Sequence, residues 1–541
     1  MFGLTLFLLA AMPIPQDPGL TARVKKHYSQ GAELFRDGNL QAAERELDQV
    51  IALAPGIPEP YYLQAKISAA KNRLDRAEEL LQTAIRLKPD FVEAHHTLGI
   101  VLLQQKRYQL ALNSLERATR LRPDYALAHL NMGNAYLGLG RSDRAIESFE
   151  RALRTQSQEP STTFLANLKL GMTYYGLKDY ARAQIHLEKA NALNPQSREL
   201  LLALADTYYK MQKAEAAAPH VEQLRRMAEA EPALRVPLGL LLAENGLFAE
   251  AAQELVAGKA SIPPSFDLMY GLGSVYYHLD RRREAAEALA EAARLKPDEA
   301  RPHCLLGQIY SEQGELEAID ALYRCVERDP TRDGAWESLA QAVFQLQPSM
   351  RSIEIFRPFA QKFPEKPLAH ILLGEAFMHN NLMSEALAEF DRVLQLAPRS
   401  ARALASKGFV LKQLGQPEVA KKVLREALDY DRESLLANLY LADLLGHGED
   451  VPGALALLER IVQSNPNFAE AYVLRGQIYL RSKRLDEAVR DLEKATELRS
   501  ARSRPHYILG RAYLQQGRKD KGEEELRKFE LLKAKESAWE K

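Results

Sequence analysis

The chain has 541 residues, far more than one hydrophobic core serves, and its 46% hydrophobic and 27% charged content excludes wholesale disorder. Lysine plus arginine and aspartate plus glutamate each number 72, so the net charge is zero. No global field then draws the protein to nucleic acid or to an acidic membrane.

Phe2 to Ala11 is a ten-residue apolar run, followed by a stretch in which Pro13, Pro15 and Pro18 stop any helix. Ten apolar residues suit the core of a secretory signal better than a membrane span of roughly 20. No Lys or Arg precedes the run, and Ala10-Ala11-Met12 is a poor cleavage site. The expectation is an exported protein, periplasmic or secreted, with a cytoplasmic location as the alternative.

Beyond the leader, one period governs the chain. Marks fall at Pro55, Pro89, Pro123, Ser157, Pro195, Glu229, Pro263, Pro297, Pro330, Pro364, Pro398, Arg432, Pro466 and Ser500. Eleven of the 13 steps are 34 residues, one is 33, and one is 38. The long step holds the polar stretch Thr155 to Thr163, read as a loop carrying four extra residues. Twenty-four residues before each mark stands a small residue: Gly31, Ala65, Gly99, Gly133, Gly171 and onward to Gly510. Glycine inside a helix costs about 1 kcal/mol against alanine, so its recurrence demands close approach of a second helix. A second small column follows twelve before the mark, as Ala43, Ala77, Ala111 and Ala145. Apolar residues between the marks keep helical spacing, so each 34-residue unit reads as two antiparallel amphipathic helices.

HLNMGNAYLGLGRSDRAIESFERALR (129–154) and NLKLGMTYYGLKDYARAQIHLEKANALNP (167–195) resemble the tetratricopeptide repeat family in its bacterial form. The resemblance runs through 15 units, starting near Val24, Pro58, Val92 and Ala126, resuming at Phe164, and ending near Leu532. It implies an all-α, right-handed superhelical solenoid of antiparallel helix pairs, stabilised by stacking of neighbours. The segments expected are a leader and linker over 1–19, repeats one to four over 24–157, five and six over 164–231, and seven to nine over 232–330. Repeats ten to fourteen follow over 331–500, and repeat fifteen with a charged capping helix over 503–541. Prolines 219, 237 and 358 fall inside expected helices, where they bend or loosen the array.

A search for chemistry finds neither a phosphate-binding loop nor a nucleophile elbow, and no metal-ligand signature. His27, His95, His129, His303, His370 and His506 share one column, four residues before the small column, with Tyr61, Trp336 and Tyr472 in the same slot elsewhere. A column shared by His, Tyr and Trp is a packing position, and His95 and His96 point to different helix faces. The expectation is no catalytic residue, no cofactor and no metal. Cys304 and Cys325 lie on the two helices of the ninth unit at similar distances from its turn. They either pair as a disulfide or fill the core as small apolar side chains.

In the family, the first helix of each unit lines the groove that holds partners. The resemblance places Asn131, Asn134, Lys169, Met172, Tyr175, Asp206, Tyr209, Tyr270, Ser274, Tyr277, Gln308, Glu337, Gln341 and Phe344 on that face. Such a surface, rich in tyrosine and amides with few charges, suits a protein or peptide. Asn131 and Asn134 lack the basic companions of the clamp by which chaperone-binding members hold a C-terminal carboxylate. The asparagine ladder of the O-linked N-acetylglucosamine transferases does not recur here either. The reading is a non-catalytic interaction scaffold, with an accessory subunit of an envelope machine for polysaccharide or protein export as the alternative.

Overall fold

The computed structural model describes residues 18–155, 159–346, 351–448, 450–498 and 502–539. The apolar leader lies outside these residues. Among them there are helices and turns and no strand. Two compact bodies divide the chain after Pro263.

The first body is built of seven antiparallel helix pairs, from Pro18–Arg36 with Leu40–Leu53 to Arg235–Glu244 with Phe248–Ser261. The second holds eight, from Phe266–His278 with Arg282–Leu295 to Ser503–Gln515 with Lys519–Trp539. The core of each body is a run of apolar clusters shared by neighbouring pairs, the largest of them extending from Ala318 in the ninth repeat to Val410 in the twelfth. Leu81, Ala84, Phe91, Ala94 and Val101, for example, join the second pair to the third.

The glycine column does what close approach requires. A Cβ built on Gly99, Gly171 or Gly273 would lie 2.5 Å from Leu115, Leu187 or Leu289 of the second helix in the same repeat. The partner stands 16 residues later in each case. In the ninth repeat Gly307 meets Leu322, one residue sooner, which accounts for the single 33-residue step.

Among the described residues, thirteen of the turns within helix pairs hold one left-handed residue. Gly38, Asn72, Lys106, Gly140, Lys178, Gln212, Gly246, Asp280, Gly314, Asn381, Gly415, Lys483 and Gly517 all have positive φ. In the fourth repeat, Gly140 N–H donates to Leu137 O and Arg141 N–H to Tyr136 O, both at 2.9 Å. Those bonds satisfy helix-end carbonyls and reverse the chain within three residues.

Three expectations about the helices change. The first helix of repeat five begins at Pro160, so Pro160 to Thr163 are helical rather than loop. Proline is pre-organised for a first turn, and the extra residues lengthen this helix to 17. The opening helix likewise starts at Pro18, six residues before Val24. Pro237 sits third in Arg235–Glu244, where its missing N–H costs nothing. Pro219 and Pro358 do lie inside their helices.

Candidate functional site

The histidine column packs between helices, and it also bonds. The Nε2 atoms of His95 and His129 lie 2.9 Å from the carbonyls of Pro89 and Pro123, and His370 Nε2 lies 3.0 Å from Pro364 O. Tyr61 OH donates to Pro55 O, Trp336 Nε1 to Pro330 O, and Asn438 Nδ2 to Arg432 O. Each donor thus secures the carbonyl of the mark residue six positions earlier and locks the loop between repeats. Twelve of the fifteen residues in this column carry a side-chain N–H, O–H or ring N–H, and that was the legible signal; Leu201, Met269 and Leu404 fill the slot as apolar core instead. Among the described residues no cluster of three metal-ligating side chains occurs.

In the first body, the candidate groove residues join across repeats. His96, buried beside Tyr125 (ring centroids 4.7 Å apart), lies 3.0 Å from the Tyr125 hydroxyl through Nδ1 and accepts from Asn131 Nδ2 at 3.0 Å. Burial pushes His96 down to about 4, so the ring is neutral. Asn134 Nδ2 donates to Asn131 Oδ1 at 3.3 Å. Tyr175 OH donates to Asp206, whose other oxygen accepts from Asn245 Nδ2 at 2.7 Å. Burial and that carboxylate together hold the Tyr175 hydroxyl well above the usual phenol range. Met172 stands exposed, while Lys169 and Tyr209 are half-buried.

In the second body, Tyr270 stacks on Phe266 (5.7 Å), and the Arg301 guanidinium covers both rings. Tyr277 OH donates to Glu312 at 2.7 Å and accepts from Gln308 Nε2 at 2.5 Å, with Arg282 4.2 Å above its ring. Ser274 contributes its carbonyl to His278 Nδ1. Glu337 accepts from Arg402, which also grips Glu375 through two bonds of 2.9 Å. Phe344 stacks on His379 at 4.5 Å, and Gln341 is exposed. The expectation of a face with few charges is therefore corrected. Asp206, Arg301 and Glu312, 31 to 35 positions away, come alongside the tyrosines on the neighbouring repeat, and Arg282 reaches Tyr277 from the second helix of its own repeat.

The sequence reading missed a cleft further along the second body. Phe409 and Tyr440 (4.9 Å between centroids) form one wall, and Leu439, Val473, Leu474 and Pro505 line the rest. Asp443, Gln477, Arg502 and Arg504 complete the lining of a free volume of about 320 Å³. Phe409, Asp443 and Gln477 continue, at steps of 34, the column that holds Gln341 and Glu375, so the period itself could have found them. Cys304 and Cys325 are joined as a disulfide across the ninth helix pair.

Tetratricopeptide repeat profiles match at residues 34–99, 96–160, 165–197, 202–265, 270–333, 337–401 and 411–478. The chain belongs to the tetratricopeptide repeat family. A profile described as anaphase-promoting complex, cyclosome, subunit 3 matches residues 449–529 of this tetratricopeptide repeat chain. Protein bimA of Emericella nidulans is 27% identical over 176 residues, 32% of this chain and 22% of bimA. The BBSome complex member BBS4 homolog of Drosophila melanogaster is 22% identical over 277 residues, 51% of this chain and 52% of that protein. The chain therefore spans about half or less of the length of these relatives. Among solved structures, the APC/C hetero-tetramer Cut9-Hcn1 is 15% identical, covers 94% of this chain and 99% of its own, and gives a TM-score of 0.39. PilF of Pseudomonas aeruginosa is 21% identical, covers 39% of this chain and 93% of its own, and gives 0.35. Among the described residues no helix is long and apolar enough to cross a membrane.

Proposed function

We propose that this protein is a non-catalytic scaffold that holds a protein or peptide segment against the first-helix faces of its repeats. The observation that carries this is the column shared by Met172, Gln308, Gln341, Phe409, Asp443 and Gln477. Its members are exposed in the middle of the chain and line an aromatic-walled cleft further on. Aromatic area beside polar side chains already oriented by their neighbours lowers the ordering cost of binding. Membership of a repeat family whose stacked helices form extended binding surfaces supports the same reading.

The second reading is an exported accessory subunit of an envelope polysaccharide or protein assembly machine. The Cys304–Cys325 disulfide favours it, because such bonds persist in oxidising compartments.

Affinity capture from the source cell, comparing the parent with Met172→Arg and Phe409→Ser, tests the scaffold. Proteins retained by the parent and by Ile185→Arg, on the exposed side of a second helix, and lost from the groove variants bear it out. An identical set from all four contradicts it.

A further inference from the structure

The histidine column divides into two chemical classes. In the first, eleventh and fifteenth repeats the other ring nitrogen, Nδ1, faces a glutamate 19 residues later: His27 with Glu46 (2.7 Å), His370 with Glu389 (2.6 Å) and His506 with Glu525 (2.5 Å). In the third, fourth and ninth repeats that glutamate is replaced by Ser114, Ser148 and Ala321. These same three repeats carry an arginine nine residues before the histidine, namely Arg86, Arg120 and Arg294. None of the glutamate-bearing repeats does; Pro18, Gln361 and Glu497 stand there. A second arginine follows the histidine, as Arg117, Arg151 and Arg324.

The structure turns this pattern into open surface cavities. One of about 360 Å³ is lined by Arg86, His95 and Arg117 together with Gln82, Asn113 and Ser114. Another of about 560 Å³ is lined by the equivalent Arg294, His303 and Arg324, joined by Arg328. Both lie between the second helices of consecutive repeats, one in each body. Arg86, Arg117, Arg294 and Arg324 are exposed and make no ion pair among the described residues, whereas Arg151 of the fourth repeat is held by Glu147 at 3.0 Å and Arg328 by Glu327 at 2.6 Å. No carboxylate lines the smaller cavity. Glu317 and Asp320 line the larger, and Asp320 is held by Arg351 at 3.0 Å. In the fourth repeat His129 is 8% exposed and its Nδ1 is buried without a hydrogen-bond partner.

We propose that the column histidine and its two flanking arginines form an oxyanion site, taking a phosphate group, in the third, fourth and ninth repeats. Where the protein supplies its own carboxylate the site is filled from within. Where the glutamate is absent, a ligand takes its place. One carboxylate matches one imidazole, but two guanidinium groups match the charge of roughly −1.5 to −2 on a phosphate near neutral pH. Arginine's planar fork also suits a tetrahedral oxyanion approached from two sides. In His95 and His129 the Nε2–H is committed to the proline carbonyl, so Nδ1 carries the lone pair of the neutral ring and is left to accept from the P–OH of a hydrogen phosphate.

Calorimetric titration of the full chain with inorganic phosphate, against chloride at matched ionic strength, tests the site. A parallel titration with O-phospho-L-serine separates a free ion from a phosphomonoester as the source. The site predicts saturable phosphate binding that weakens at least tenfold in Arg117→Ser/Arg151→Ser/Arg324→Ser. It also predicts the same loss in Ser114→Glu/Ser148→Glu/Ala321→Glu, which rebuilds the internal carboxylate of the other repeats. Circular dichroism of both triple variants verifies their folding, and either one alone suffices for the comparison. Parent binding no tighter to phosphate than to chloride, or unchanged binding in a folded triple variant, overturns the proposal.

Discussion

Phe149, on the second helix of the fourth repeat, fills the space that Gly133 on the first helix leaves by having no side chain. A Cβ at position 133 would fall inside the contact radius of that ring. The same relation recurs in both bodies, with leucine in most repeats and phenylalanine in the fourth and eleventh. Gly133→Val and Gly273→Val should therefore destabilise their repeats by about 2–3 kcal/mol, because a packed ring or leucine must be displaced. Gly176 is the internal control. It ends a helix, has nothing within 4 Å of its would-be Cβ, and keeps a negative φ. Gly176→Ala should be neutral or gain up to about 1 kcal/mol. Denaturant midpoints of the three variants read the contrast, and equal shifts would refute close approach.

His96 gives a pH signature. Its ordinary value of 6.5 is pushed down to about 4 by burial, so the unfolded chain binds a proton that the folded chain refuses. Stability from the neutral ring is complete above pH 6.5 and drains away as the pH falls toward 4, by about 3 kcal/mol in all. Hydrogen exchange across Val92–Gln104, compared between parent and His96→Gln, should show the parent losing protection faster over that window. Parallel pH profiles would mean that the imidazole is not held neutral.

The turns supply a gain-of-stability test. Lys106 has φ of 59°, in the left-handed region that costs a non-glycine residue about 1–2 kcal/mol. Six of the thirteen equivalent turn positions already hold glycine. Lys106→Gly should stabilise the third repeat by about 0.5–1 kcal/mol after the entropic cost of glycine is subtracted. A lower melting midpoint would contradict the assigned turn geometry.

The Cys304–Cys325 bridge closes a sequence separation of 21 residues. Under non-reducing conditions Cys304→Ala/Cys325→Ala should lose about 3 kcal/mol in the ninth repeat through the restored freedom of the unfolded chain. Under strong reductant, parent and variant should converge. Equal stability in both conditions would show that the thiols are not joined.

The 34-residue period made the helix pairs legible, because every repeat solves the same packing problem and leaves the same glycine against the same leucine. Partners across repeats were harder to read. Tyr175 and Tyr277 were visible as groove residues, but their acceptors Asp206 and Glu312 lie 31 and 35 positions on, at offsets that straddle the period. The histidine column was legible as packing, yet its bond to the mark carbonyl needed the loop conformation. Pro160 and Pro237 were misjudged because a proline reads alike in a loop, a first turn and an interior. The structure alone shows that both stand in a first turn. The cleft at Phe409 and Tyr440 escaped because its apolar walls look like core in a single repeat, and only neighbouring first helices leave them facing free volume.

The central claim is that partners sit on the first-helix faces. Photo-crosslinking in the source cell tests it most directly, with a benzophenone side chain at Met172 or Gln341 and, for comparison, at Ile185 on a second helix, where 50% of the side chain is exposed. The account predicts discrete protein adducts from positions 172 and 341 and none of the same mass from 185. Adducts from 185 alone, or the same adducts from all three, would contradict it.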